Sequence, residues 1–364
     1  MNMDRPTILL NPGPVTLSER VRSAMLREDQ CHREPDFASL MMDIKKRLVQ
    51  VYPDSTEAFD AVMITGSGTC SVEAMLSTFA PLETKTLVVT NGVYGERMVA
   101  MLDAQKKPYE STNGDWSCPM DLYSVEKFLE QDDNITHIAA VHNETTTGRL
   151  NDIESLAKLC KSYDKRLLLD AVSSFGAEEI DFSDWPLDAV AATANKCLHG
   201  VPGIAFVMSR ELLFSAESSY SNTLYLDLHR YYMEQRSGFS PFTPAVHACF
   251  ALHESLKELE ENGGVAARNQ RYRTLSATIR AALNKLGIRS FLDESDYSSM
   301  ISSFYLPENW DYPALHDELR TKGFVIYAGQ AGLFHSIFRI ANMGDIHDAD
   351  IERLLAAFTD LMKK

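Results

Sequence analysis

The chain has 364 residues, 45% of them hydrophobic, and a formal net charge of −16. That is enough apolar material for one large domain with a smaller one beside it, and it argues against disorder. The acidic balance disfavours nucleic acid and anionic membranes as partners, while a small anionic substrate in a locally positive pocket remains compatible with it.

The six cysteines, Cys31, Cys70, Cys118, Cys160, Cys197 and Cys249, are too scattered for a metal knuckle or a redox pair. Reduced thiols in the cytoplasm, and no metal, are expected. The start of the chain lacks the basic region, apolar run and cleavage site of a leader. No uncharged stretch approaches the roughly 20 residues of a membrane span.

In chain order, 7–10 reads as a short extended segment. Asn11-Pro12-Gly13-Pro14 follows as a rigid turn, where Gly13 lets the backbone approach a ligand closely. Thr16 or Ser18 caps a helix running to about residue 27, and a second helix spans 37 to about 52. His32, Arg33 and Glu34 fall in the polar loop between them. Strands and helices then alternate. A strand at 61–64 leads into Thr65-Gly66-Ser67-Gly68-Thr69, which opens a helix through Phe79. A strand at 86–90 precedes Asn91-Gly92-Val93-Tyr94-Gly95 and another helix. A strand at 138–141 ends at His142, and an amphipathic helix at 153–163 takes Asn151 or Asp152 as its cap. Strands follow at 166–170, 188–194 and 204–208.

This alternation predicts an α/β fold with a mostly parallel sheet covered on both faces. Ligands of such sheets sit outside the carboxyl ends of the strands. Thr65, Asn91, His142, Asp170 and Asn195 stand at such ends and are expected to converge on one cleft. The pattern changes after about Phe242. Helices at 245–261 and 265–286 flank Asn262-Gly263-Gly264. Strands at 300–305, 324–327 and 338–340 then alternate with helices at 313–322 and 347–362. A large domain of 16–250 is expected, with a smaller α+β domain built from 1–15 and 251–364.

Lys196 is the one charged residue in the run 191–203. It is either solvated at a strand end or a desolvated amine reactive toward a carbonyl. The Gly-Ser-Gly turn at 66–68 can aim backbone N–H groups and a helix N-terminus at a phosphate, though it lacks the lysine of a Walker loop and the third glycine of a dinucleotide loop. Asp170 ends a buried-looking strand, where a carboxylate is costly without a cation, a cap or an ion pair. An amine, an acid one αβ unit before it and a phosphate turn are together the parts of a pyridoxal phosphate site. Tyr94 then stands ready to stack on the ring, or else packs as core at a helix start.

Six segments carry a family resemblance. They are Asn11-Pro12-Gly13-Pro14, Gly66-Ser67-Gly68-Thr69, Asn91-Gly92-Val93-Tyr94-Gly95, Glu144-Thr145-Thr146-Thr147-Gly148, the run 170–176 beginning Asp170-Ala171-Val172-Ser173, and the run 194–203 around Asn195-Lys196-Cys197. Together they resemble the class V aminotransferases of fold type I, in order and over nearly the whole chain. The runs 263–272, 323–327 and 338–344 are similar to that family as well.

The resemblance implies a seven-stranded, mostly parallel large-domain sheet and pyridoxal 5'-phosphate tethered to Lys196. By the same resemblance Asp170 meets the pyridine nitrogen, and Ser67, Gly68 and Thr69 take the phosphate. Tyr94 stacks on the ring and Thr146 lies near its phenolic oxygen. Thr243 reaches the phosphate in a second subunit, which implies a homodimer with shared sites. Arg339 grips a substrate carboxylate, with Gly13 close by.

Within the family the resemblance is to members that exchange the amino group of 2-aminoethylphosphonate with pyruvate. A lyase on hydroxylated aminoethylphosphonate and an alanine–glyoxylate or serine–pyruvate type of transaminase share the same scaffold. A non-enzymatic binding protein on this fold is the alternative of another class. Arg33 and Arg149 depart from the phosphonate-handling pattern, and one of them is expected to help hold the dianionic phosphonate.

Overall fold

The structure is a computed structural model that describes residues 7–214 and 219–363; residues 1–6, the start of the expected N-terminal segment, and 364 lie outside it. Its centre is a seven-stranded sheet in the order Phe59–Gly66, Gly203–Arg210, Leu187–Thr193, Arg166–Asp170, Ile135–Val141, Lys85–Val89 and Tyr109–Ser111. Gly203–Arg210 runs antiparallel to both of its neighbours and the other pairings are parallel. The reason is local. A parallel return needs a crossover of a dozen or more residues, usually helical. The connection 194–202 is shorter and carries no helix, so the chain must turn straight back.

Side-chain alternation divides the sheet's residues between two cores. Leu167, Leu169, Val190, Ala192, Phe206 and Met208 face one side, where Pro35–Gln50, Leu122–Gln131, Ile153–Ser162 and Val246–Glu261 cover them. Leu168, Ala189, Ala191, Ala205 and Val207 face the other, under Gly68–Phe79, Val93–Ala104 and Leu228–Gln235. Continuous apolar runs are what double coverage requires.

Val246–Glu261 spans the boundary expected at residue 250, and its Ala248, Leu252, Leu256 and Leu259 pack into the core of the large sheet. The next helix, Gly264–Lys285, turns Leu275, Ile279 and Leu283 into a separate core with Phe304, Phe338, Ile340 and Phe358. Ile8 and Leu10 join that core. A three-stranded antiparallel sheet, Ile301–Tyr305, Ile337–Ala341 and Tyr327–Ala328, supports it.

Some local expectations change. The strand expected at 324–327 divides at the buried Ile326. Phe324–Val325 pairs with Ile8–Leu9, and Tyr327–Ala328 pairs with Ile337–Ala341. Ser18 rather than Thr16 caps the first helix, Glu19–Ala24, which ends before the expected residue 27. Thr16 Oγ1 instead accepts a hydrogen bond from Leu9 N at 2.9 Å. Asp152 rather than Asn151 caps Ile153–Ser162. The short edge strand Tyr109–Ser111 and the two-residue hairpin of Asn143–Glu144 with Arg149–Leu150 have no apolar periodicity to announce them.

Leu168 is fully enclosed in the middle of the sheet. Leu168→Ala is expected to cost about 2–5 kcal/mol and to lower the thermal midpoint by several degrees in differential scanning calorimetry. An unchanged midpoint would contradict the double coverage described here.

Candidate active site

The helix-free return that reverses the sheet also carries Lys196. Ala194 N donates to Ile204 O at 3.0 Å, Gly200 N to Ala194 O at 2.8 Å and His199 N to Lys196 O at 2.9 Å, closing a compact loop. Small-domain residues grip its far side. Arg268 donates to Cys197 O, Tyr272 meets the His199 ring, and Gly344 N donates to His199 Nε2 at 3.0 Å.

The Lys196 ammonium donates to Pro12 O. Gly13, at φ +95°, lies so close that a Cβ there would sit 2.7 Å from Lys196 Cδ, so the N-terminal turn can press on the lysine only as glycine. Burial pulls the Lys196 ammonium down to about 8, against weaker support from Cys197 and Asp170. Part of the population is therefore neutral and nucleophilic in mildly alkaline solution.

Asp170 ends Arg166–Asp170 with 6% of its surface exposed. Val172 N donates to its Oδ1 at 2.9 Å. Burial holds the carboxyl up at about 6, although that hydrogen bond and the charges of Arg97 and Lys196 pull the other way. It faces a small cavity lined by Gly68, Thr69, Tyr94, Arg97, Asp170 and Val172 among others. Above it starts the helix Gly68–Phe79, whose N-cap Ser67 makes no side-chain capping bond, so its first N–H groups and its dipole are available to an anion. Arg97 lies 4.7 Å above the Tyr94 ring and donates to Thr69 Oγ1 at 3.2 Å.

The hairpin 143–150 packs against the start of the helix that carries Tyr94. Glu144 is 0% exposed. Its Oε1 accepts from Thr146 Oγ1 at 2.6 Å and Thr146 N at 3.2 Å, and its Oε2 accepts from Tyr94 N at 3.3 Å. Burial pushes its carboxyl up to about 7. Arg339, 1% exposed, reaches from Ile337–Ala341 to the same hairpin. It donates from Nε to Ala328 O at 2.8 Å, and from Nη1 to Thr145 O at 2.6 Å and Gln330 Oε1 at 3.2 Å. Its Nη2 is buried without a partner among the described residues, a donor left for an anionic ligand.

Of the five strand-end residues expected to converge, Asp170 alone lines this cavity. Asn91 and Asn151 exchange amide hydrogen bonds of 2.8 and 3.2 Å. Thr65 Oγ1 accepts from Ala245 N, and Asn195 Oδ1 accepts from Thr193 Oγ1. The His142 ring packs edge-on against Trp185. Arg149 is also committed elsewhere. Its Nη1 pairs with Asp296 at 2.6 Å and its Nη2 donates to Ser117 O at 2.9 Å, while its Nε is buried without a partner among the described residues; the ion pair with Asp296 takes the charge that was expected to hold the phosphonate. Arg33 and Thr243 are exposed on loops and take no part in the hydrogen bonds of the cavity. Arg97, Glu144 and Gln330 had not been singled out. Arg97 was readable in principle, being three residues after Tyr94 on one helical face.

An aspartate aminotransferase from Thermus thermophilus superposes on this chain with a TM-score of 0.88 at 25% identity, covering 98% of this chain and 99% of its own. The architecture is thus that of the fold type I aminotransferases. A sequence match to aminotransferase class-V covers residues 21–347. A protein of Klebsiella pneumoniae is 41% identical over 98% of each chain, and one of Bacillus cereus 40% identical over 96% of each. Both of these relatives are named 2-aminoethylphosphonate–pyruvate transaminase. The chain belongs to the class V aminotransferase family.

All six cysteines are free. Among the described residues no cluster is fit to hold a metal ion, and no helix is long and apolar enough to cross a membrane.

Because the folded Asp170 titrates above its ordinary range, the protein freed of small molecules loses stability as pH rises from about 4 through about 6. Asp170→Asn removes that loss. Its thermal midpoint is expected to exceed the wild type's by a few degrees at pH 8 and to match it near pH 4; the opposite order would contradict the buried carboxyl.

Proposed function

We propose that this chain transfers the amino group of 2-aminoethylphosphonate to pyruvate, giving phosphonoacetaldehyde and alanine, with pyridoxal 5'-phosphate held in the cavity between Lys196 and Asp170. The reading is supported by the activity named for relatives that match almost end to end. Within the site, the observation that carries it is the unpartnered Nη2 of the buried Arg339.

The residues fit the cofactor: a carboxyl and an aromatic side chain line one cavity, a helix N-terminus open to a phosphate borders it, and the Lys196 amine lies within electrostatic reach of Asp170. When bound, it supplies an electron sink for the carbon that bears the substrate nitrogen. Lys196 holds it covalently through Nζ. Once released, Nζ would take the proton from the carbon that bears the substrate nitrogen and deliver it to the carbon on the other side of that nitrogen. Its lowered basicity lets it be neutral for the first task and charged for the second.

Asp170 holds a proton at the ring nitrogen, and a cation placed there brings its carboxyl back to the ionised form. Ser67, Gly68 and Thr69 receive the phosphate at the start of their helix. Tyr94 covers the ring and Thr146 lies by its phenolic oxygen. Arg339 receives the carboxylate of pyruvate or alanine in one half of the reaction and the phosphonate in the other, since both substrates use one site in turn. Arg33 is proposed as a second cation for the phosphonate.

The active form proposed is a homodimer in the cytoplasm, where the thiols stay reduced. The exposed Leu224 and Tyr225 sit near Phe242, one residue from Thr243, and Tyr225 and Phe242 pack with ring centroids 5.2 Å apart. A second copy covering this apolar patch would lie beside Thr243, the residue that by the family resemblance reaches the other subunit's phosphate. No partners beyond small molecules and the second subunit are proposed.

Incubation with 2-aminoethylphosphonate and pyruvate is expected to yield alanine only when both are present. Ammonia released without pyruvate would point to the lyase instead. Arg339→Lys keeps the charge and loses the fork; kcat/KM for pyruvate is expected to fall about 10- to 100-fold, the worth of one charged hydrogen bond. Unchanged kinetics would remove Arg339 from the site.

A further inference from the structure

Glu144 is the most enclosed ionisable group of the site, and among the described residues no ion pair neutralises it. A bare buried carboxylate is costly, so a chain that keeps one ties it down or uses it. Room is made for it deliberately. A Cβ on Gly92 would come within 2.2 Å of Glu144 Cδ, so the residue that starts the Tyr94 helix must lack a side chain.

The two oxygens grip two different elements. Oε1 takes the hydroxyl proton and the backbone N–H of Thr146, and Oε2 takes the N–H of Tyr94. Val93 N donates in turn to Thr146 Oγ1 at 3.2 Å. A threonine hydroxyl has one proton; of its two acceptors Glu144 Oε1 at 2.6 Å is far closer than Gln330 Oε1 at 3.4 Å and takes it. Toward any further group, Thr146 Oγ1 then acts as an acceptor, as it does for Val93 N.

We propose that Glu144 is a positioning residue of the transamination: it fixes Thr146 Oγ1 as an acceptor beside the cofactor's phenolic oxygen and anchors the helix that carries the Tyr94 ring. This rests on the reading that the cavity holds pyridoxal phosphate. An acceptor at that place favours a proton on the phenolic oxygen or its tether, so Glu144 acts on the acidity of the lysine-bound cofactor without touching it. Asp170, a like charge, and Arg339, an opposite one, are the ionisable groups that act on Glu144 from the neighbouring strand end and from the small domain. The Glu144 carboxyl titrates at about 7, so the lock is complete above neutral pH.

Glu144→Gln tests this with little change of volume. An amide accepts at one end only, so in either orientation an NH₂ group faces Thr146 or Tyr94 N–H, and one grip is lost. The first measurement is on the wild type. Added pyridoxal phosphate must give an absorbance band, and borohydride must fix its mass on Lys196. Failure there sinks the cofactor reading and leaves the Glu144 geometry apart.

Given that band, E144Q is expected to move the pH midpoint of its titration by half a unit or more and to weaken cofactor binding about tenfold. KM for pyruvate should stay within twofold. In a Thr146→Val background the same change should move the midpoint much less, because the two residues act as one. An unmoved midpoint, or full additivity with Thr146→Val, overturns the proposal. If E144Q does not fold, Glu144→Asp, whose shorter arm cannot hold both donors, must show the same shift in smaller measure; an unmoved midpoint there overturns it too.

Discussion

Three ionisable side chains, Lys196, Asp170 and Glu144, are taken out of water at one end of the sheet, and the rest of the molecule is arranged around the cost of doing so. Desolvation works against charge on each: it lowers the lysine and raises both carboxyls. The result is a set of groups titrating between about 6 and 8, where proton transfer is easiest near neutrality. A more open site would return each to its ordinary range and lose that property.

Holding such groups needs rigid neighbours, and two domains supply them. The large domain brings Asp170 at a strand end and Lys196 on a strand-to-strand return. The small domain clamps the back of that return through Arg268, Tyr272 and Gly344. The hairpin 143–150 is held between the two. Arg339 donates to Thr145 O, Arg149 pairs with Asp296, and Ser303 Oγ donates to Thr147 O. The hairpin that carries Glu144 and Thr146 therefore depends on the small domain's position. Any shift of the small domain alters Arg339 and that hairpin together.

The alternation of apolar runs was legible because strands buried on both faces must be continuously hydrophobic. Lys196 stood out in an uncharged run, and Asp170 at the end of Leu167-Leu168-Leu169, since a charge in such a setting is expensive. Less was legible where a residue's task depends on a partner far away in sequence. Arg149 looked like a free cation, but Asp296 lies 147 positions on. Asn91 stood at a strand end yet spends its amide on Asn151. Glu144 was visible only as one letter of a motif, because its partners are a backbone N–H beyond Gly92 and the hydroxyl of a two-residue hairpin.

The sequence by itself determined the α/β layering, the family and the amine–acid pair, since these follow from local periodicity and from the cost of isolated charges in apolar runs. Tertiary structure alone decided which polar groups remain unpaired. Both Arg339 and Arg149 keep one unpartnered nitrogen, but only Arg149 has its charge matched, by Asp296; among the described residues Arg339 has no ion pair. Hydrogen-bond capacity is consumed by neighbours that folding brings together from distant positions, so the donors left over for a substrate can be counted only once every other pairing has been made.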